Sequence, residues 1–130
     1  MSSSNSNRCI LLIDDEPDLC RIVKVTLERI KGWKILTAQT GQDGFTLAQT
    51  QPLDAILLDL SLPDGNGLEW LQTLKTNSVT RSIPVVLLTA KADSLEVRQY
   101  EALGIKGLIG KPFNPLTLHR EIAACLNWVL

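Results

Sequence analysis

Five short apolar runs, each followed by a stretch patterned for a helix, constrain this chain more than any other feature: Cys9 to Ile13, Trp33 to Ala38, Ala55 to Leu58, Ile83 to Leu88 and Lys106 to Ile109. Several are continuous rather than alternating. A strand that is apolar on both faces must be covered on both faces, as in a parallel sheet with helices above and below it. In the first intervening stretch, Leu19, Ile22, Val23, Thr26, Leu27 and Ile30 follow the i, i+3, i+4, i+7 stripe of an amphipathic helix. Pro17 suits its first turn, with Asp15 or Glu16 near the cap. Gly44 to Thr50, Gly67 to Lys75 and Ser94 to Leu103 also fit helices, the last ended by Gly104. The final helix is expected to open at Asn114-Pro115 and to carry its stripe through Leu118, Ile122, Cys125 and Val129. Strand then helix, five times over, gives an α/β fold: a doubly wound five-stranded parallel sheet with right-handed crossovers, for which the strand order 2-1-3-4-5 is expected.

A length of 130 residues suits one domain with a real core. Residues 8–130 are assigned to it. The polar Ser/Asn-rich segment Met1 to Asn7 is read as a disordered tail, since it carries too little apolar area to offset the entropy of ordering it. With Lys+Arg 13 against Asp+Glu 14, the net charge is −1, so no global field draws the chain to nucleic acid or acidic lipid, and direct nucleic-acid binding is not expected. No apolar run approaches the roughly 20 residues of a membrane span, and the N-terminus has neither basic start nor apolar h-region, so a cytoplasmic location without membrane contact is expected. Cys9, Cys20 and Cys125 form an odd set without a CxxC pair, which argues against a disulfide framework or a zinc site. They are expected to be reduced and mostly buried.

In a doubly wound sheet, ligands sit beyond the carboxyl ends of the strands, where the strand order reverses. The residues following the runs are Asp14-Asp15, Asp59, Thr89-Ala90 and Lys111-Pro112, so the conspicuous polar groups share one edge. For the order 2-1-3-4-5 the reversal lies between strands one and three, which deliver the three aspartates. Three carboxylates together repel one another unless a cation or proton neutralises them. An all-oxygen site with few carboxylates suits Mg²⁺, which keeps several waters and leaves a position for a phosphate oxygen. Lys111 adds a positive charge and Thr89 a hydroxyl donor, groups that can hold the oxygens of a transferring phosphoryl group. Asp59, closing the central strand, is the nucleophile in this reading, and Asp14 and Asp15 are the metal ligands.

These residues resemble a family. Ile10-Leu-Leu-Ile-Asp-Asp-Glu16, Ile56-Leu-Leu-Asp-Leu-Ser-Leu-Pro-Asp-Gly-Asn-Gly67, Val85-Val-Leu-Leu-Thr-Ala90 and Gly110-Lys-Pro-Phe113 look like the four signature blocks of response-regulator receiver domains of two-component signalling, over Arg8 to roughly Trp128. The resemblance implies the flavodoxin-like (βα)5 fold of chemotaxis-type regulators. It implies Asp59 as phosphoacceptor; Asp14, Asp15, Asp59 and the Ser61 backbone carbonyl on Mg²⁺; Thr89 sensing the phosphate; Lys111 pairing with it; and a cis Lys111–Pro112 bond. It also implies a histidine kinase or phosphorelay protein as donor, and a downstream protein target or output domain that reads the altered surface formed by the last helix, the last strand and the helix before it. Such a chain is a phosphoacceptor that assists its own phosphoryl transfer and hydrolysis, not a multiple-turnover enzyme. The sequence departs from the family at Leu108, where receivers commonly carry an aromatic residue; Lys91 and Ser61 occupy positions that tune the phosphoryl lifetime.

Taken singly, the site residues have ordinary readings. Asp14-Asp15 could cap a helix, Asp59 could belong to the turn at Leu62-Pro-Asp-Gly65, Thr89 could cap the next segment, and Lys111 could be a solvated lysine. Their coincidence at one sheet edge outweighs these. Gly65-Asn-Gly67 lacks the spacing of a phosphate loop, and His119 reads as a surface residue on the last helix. Trp33, Trp70 and Trp128 read as core or rim. The apolar end, Ala123 to Leu130, fits core, a homodimer surface through the last helix and neighbouring strand, or the cut edge of a longer protein. Two other functions compete: a phosphate-independent interaction module, supported by Leu108, and a phosphatase of the haloacid-dehalogenase type, disfavoured because Ser61 stands where its second acid belongs.

Overall fold

A computed structural model of the chain describes residues 8–90 and 97–130. The elements run β1 (Cys9–Ile13), α1 (Pro17–Lys31), β2 (Lys34–Ala38), α2 (Gly41–Thr50), β3 (Ala55–Asp59), β4 (Ser61–Leu62), β5 (Gly65–Asn66), α3 (Gly67–Thr76), β6 (Val85–Thr89), α4 (Val97–Glu101), β7 (Gly107–Gly110) and α5 (Leu118–Leu126). Five of the strands form one parallel sheet in the order β2-β1-β3-β6-β7, which is the expected 2-1-3-4-5 once the two-residue strands β4 and β5 are set aside. That small antiparallel hairpin, Ser61–Leu62 against Gly65–Asn66, was not expected as strand, although its turn was. Met1 to Asn7, the expected tail, and Lys91 lie outside the described residues, as do positions 94–96 of the helix expected over Ser94 to Leu103.

Side chains alternate across a strand, and this divides the apolar runs between two cores. Ile10, Leu12, Leu57, Val86, Leu88 and Ile109 meet Cys20, Val23 and Leu27 of α1 and Leu118 and Ile122 of α5 on one face. Leu11, Ile13, Ile56, Leu58, Val85 and Leu87 meet Ala48 of α2, Leu71 and Leu74 of α3 and Tyr100 of α4 on the other. Because both faces are covered, every residue of β3 and β6 is buried. Each such Leu, Ile or Val contributes about 1.5–3 kcal/mol of transfer free energy.

The helices depart from the expected patterns in instructive ways. On α1 the buried stripe is Cys20, Val23 and Leu27, while Ile22 and Ile30 are 48% and 42% exposed. Apolar residues on both sides of the helix made the stripe look wider than the face that packs. Helix α2 starts at Gly41 rather than Gly44, since Thr40 caps it by accepting from the Asp43 N–H at 3.1 Å. Helix α5 starts at Leu118, not at Asn114-Pro115; the Asn114 side chain instead accepts from the Leu116 N–H at 2.9 Å and closes a separate turn. It ends at Leu126 on a left-handed Asn127, leaving Val129 exposed. Of the cysteines, Cys20 is buried and Cys9 and Cys125 are half-buried, all as free thiols. Trp33 lies in the core and packs edge-on against Trp128 at 5.5 Å between ring centroids, and Arg8 lies over the Trp128 ring at 4.0 Å.

His119 is not the surface residue expected from its polar type. It is buried on α5, and its Nδ1 has no hydrogen-bond partner. Burial, together with the charges of Arg120 and Lys31, lowers its pKa. The unfolded chain therefore binds a proton more readily than the folded one, so His119 leaves stability intact above about pH 6.5 and erodes it as pH falls through the folded pKa. Denaturant melts at pH 7 and pH 5.5 are expected to show a smaller acid loss for His119→Leu than for the unsubstituted protein. At pH 7 the leucine variant should be more stable by about 1 kcal/mol, because an unpaired buried nitrogen is gone.

Candidate functional site

The ends of β1, β3, β6 and β7 converge on one edge, and the parallel register decides which side chains meet there. Ile13 pairs with Leu58, so Asp14 and Asp59 each follow in step. Asp59 pairs with Leu88 and Thr89 with Gly110, which brings the residue after β7, Lys111, alongside. The Lys111 N–H donates to the Thr89 carbonyl at 2.8 Å, and the bond from Lys111 to Pro112 is cis.

Asp14 is fully buried. One carboxylate oxygen accepts from the Glu16 N–H at 2.9 Å and the other from Lys111 Nζ at 2.7 Å. Asp59 is 4% exposed; its Oδ1 accepts from the Ser61 N–H at 3.2 Å and its Oδ2 lies 3.4 Å from Lys111 Nζ. Asp15 is exposed at the rim, and one oxygen from each of Asp14, Asp15 and Asp59 lies within 4.8 Å of the others. Thr89 is buried at the end of β6 beside them. Asp14, Asp15, Asp59, Thr89 and Lys111 are thus brought to the one edge.

Burial raises the pKa of Asp59, and the neighbouring Asp14 charge raises it further; the Ser61 N–H and Lys111 offset only part of this. For Lys111, burial favours the neutral amine, but the contacts with Asp14 and Asp59 outweigh it and its pKa is raised. The Cys20 thiol, 3.3 Å from the Asp14 carbonyl, is pushed up to about 11 by burial and the Asp14 charge, so it is inert as a nucleophile near neutral pH. Asp14, Asp15 and Asp59 crowd together while Lys111 pairs with Asp14 and Asp59, which leaves an excess of negative charge. A donor set made only of oxygens, half open to solvent through Asp15, could hold a hard divalent cation such as Mg²⁺.

Two participants escaped the sequence reading. Glu16 was read only as a helix cap, yet its carboxylate lies 3.5 Å from Lys111 Nζ. Asp64 was read as a turn residue, yet it binds the start of α2 at 2.7 and 2.9 Å through the Gly41 and Gln42 amides. Leu108, at the position where receiver domains commonly carry an aromatic residue, is half-buried against the core that contains Leu87 and Tyr100.

The comparisons with known proteins agree with this fold. A family model described as the response regulator receiver domain matches residues 10–123. The phosphate regulon transcriptional regulatory protein PhoB of Pseudomonas aeruginosa is 35% identical over 123 residues, which are 95% of this chain and 52% of that protein. The transcriptional regulatory protein KdpE of Mycobacterium tuberculosis is 35% identical over 80% of this chain and 44% of that protein. The chain spans about half the length of these curated relatives. Among solved structures, the chemotaxis response regulator CheY4 of Vibrio cholerae superposes with a TM-score of 0.82 at 28% identity, covering 92% of this chain and 98% of that one. The receiver domain of the sensor histidine kinase PA1611 of Pseudomonas aeruginosa, which has a magnesium ion coordinated in its active-site cleft, superposes with a TM-score of 0.80 at 25% identity over 93% of this chain and 98% of that one.

Proposed function

The chain belongs to the response regulator receiver domain family, and from that premise we propose that it is a phosphorylation-driven switch with Asp59 as its phosphoacceptor. The observation that carries this reading is the shared lysine: Lys111 Nζ lies 2.7 Å from Asp14 and 3.4 Å from Asp59, so one ammonium bridges the metal-side carboxylate and the nucleophile. A histidine kinase or phosphorelay protein is the donor. An Asp59 carboxylate oxygen attacks phosphorus, the donor's P–N bond breaks, and its electron pair returns to the imidazole nitrogen. Asp14, Asp15, Asp59 and the Ser61 carbonyl would hold Mg²⁺, which supplies charge neutralisation for the phosphoryl oxygens when bound. Lys111 then leaves Asp59 to pair with a phosphoryl oxygen, and the Thr89 hydroxyl donates to another.

The new group carries a charge of about −2, and drawing Thr89 and Lys111 toward it alters the surface around α4, β7 and α5. Output is by protein contact, to a separate target or an attached output domain, with self-association through α5 and β7 as one form of it. The chain itself makes no nucleic-acid contact in this reading, since its charge is balanced. It is an acceptor that assists its own transfer and hydrolysis rather than a turnover enzyme, and it works in the cytoplasm. Among the described residues no helix is long and apolar enough to cross a membrane.

Intact mass after incubation with acetyl phosphate tests the reading. A gain of one phosphoryl group is expected with Mg²⁺, none with chelator, and none in Asp59→Asn. Folded protein that gains nothing would favour the alternative of a phosphate-independent binding module, for which the half-buried Leu108 is the specific observation.

A further inference from the structure

The hairpin that follows Asp59 is anchored at both ends, and the anchor at its tip belongs to a different part of the fold. At its base the Gly67 N–H donates to the Leu60 carbonyl at 3.0 Å. A side chain at Gly67 would lie 2.7 Å from the Leu60 Cα, so only glycine allows that approach. At its tip, the two Asp64 carboxylate oxygens accept from the Gly41 N–H at 2.7 Å and the Gln42 N–H at 2.9 Å. The first amides of a helix have no partner within it. Here Asp64 takes the first two from across the chain, the Thr40 side chain takes that of Asp43, and the Gly44 N–H reaches the Thr40 carbonyl at 3.1 Å.

Trp70 closes the contact. Its Nε1 donates to the Asp64 carbonyl at 3.3 Å, and its ring fills the space where a side chain at Gly41 would stand. Ser61 lies between the two anchors, paired with Asn66 in the hairpin, with its N–H on Asp59 at 3.2 Å.

We propose that Asp64 is a positioning residue for divalent-cation binding: by docking the hairpin tip on α2, it fixes the Ser61 peptide whose carbonyl completes the cation site. This rests on the phosphoacceptor reading, which assigns that carbonyl to Mg²⁺. Only Leu62 and Pro63 separate Ser61 from Asp64, so a hairpin released at its tip can swing its carbonyl away while Asp14, Asp15 and Asp59 stay in place. The same contact ties α2 to the cation: ordering the hairpin orders the first turn of the helix.

The experiment is a Mg²⁺ titration of the full chain followed by backbone amide signals, with denaturant melts on the same samples. Unsubstituted protein is expected to saturate, with the Gly41 and Gln42 signals shifting at the same midpoint as those of Asp59 and Ser61. Asp64→Ala is expected to weaken Mg²⁺ about tenfold, the low end for loss of a supporting partner of a metal ligand, and to abolish the response at Gly41 and Gln42. Asp64→Asn, which keeps one oxygen acceptor, should fall between. Thr40→Ala removes a cap from the same helix without touching the hairpin, and should destabilise the protein while leaving Mg²⁺ affinity unchanged. Unaltered affinity in folded Asp64→Ala or Asp64→Asn, or an equal loss in Thr40→Ala, would overturn the proposal. Failure of the unsubstituted protein to bind Mg²⁺ at all would instead remove the reading beneath it.

Discussion

Lys111→Met is expected to destabilise the metal-free protein by about 3 kcal/mol, the low end of what breaking a buried ion pair from one side costs. Asp14 is fully buried, and the lysine is its only charged partner among the described ion pairs. Methionine keeps most of the apolar stem, so the loss isolates the ammonium rather than the packing. Two carboxylates would then face one another, with the Glu16 and Ser61 amides among the donors that remain to them. The lysine side chain is 16% exposed, so water can enter the vacated space and hold the cost near the low end. Mg²⁺ should recover much of the loss, since a ligand at a hundred times its Kd contributes about 2.7 kcal/mol. Urea melts with chelator and with Mg²⁺ give both numbers. A metal-free loss below about 1 kcal/mol would mean that the carboxylates do not depend on Lys111 for neutralisation.

The sheet was legible in the sequence because burial on both faces removes polar residues from β1, β3 and β6, leaving runs that nothing else in the chain imitates. The site was legible for a related reason: Asp14, Asp59, Thr89 and Lys111 are polar residues placed directly after such runs, and parallel register carries strand ends to a common edge. What the sequence hid depends on contacts between distant segments. Whether Ile22 or Leu27 faces the core is decided by where α5 lies against α1, and both are good helix positions by periodicity. His119 is buried because Leu118 and Ile122 on either side of it bring that turn of α5 down onto the sheet, although imidazole has no preference for such a place. Asp64 reads as a turn residue in Leu62-Pro-Asp-Gly65, and it is one; only the fold shows that the same carboxylate also caps a helix 22 residues earlier in the chain.

Asp59→Asn is expected to raise the stability of the metal-free protein at pH 7, because it removes a buried carboxylate that Asp14 repels. Burial and the Asp14 charge raise the pKa of Asp59 in the folded state, so ionising it there is harder than in the unfolded chain. The penalty is absent at a pH where the carboxyl is protonated in both states, grows as pH rises through the interval between the unfolded and folded values, and is complete above both. Asparagine removes the charge but keeps an oxygen able to accept from the Ser61 N–H, while the 3.4 Å contact with Lys111 is given up, and that loss limits the gain. The gain should therefore shrink toward pH 4, and it should narrow or reverse in Mg²⁺, where the unsubstituted protein gains binding energy that the variant lacks. Melts at pH 7 and pH 4, each with chelator and with Mg²⁺, separate these effects. An asparagine variant less stable than the unsubstituted protein at pH 7 without metal would mean that the lysine already neutralises the cluster, and that the carboxylates hold no repulsion for an incoming cation to relieve.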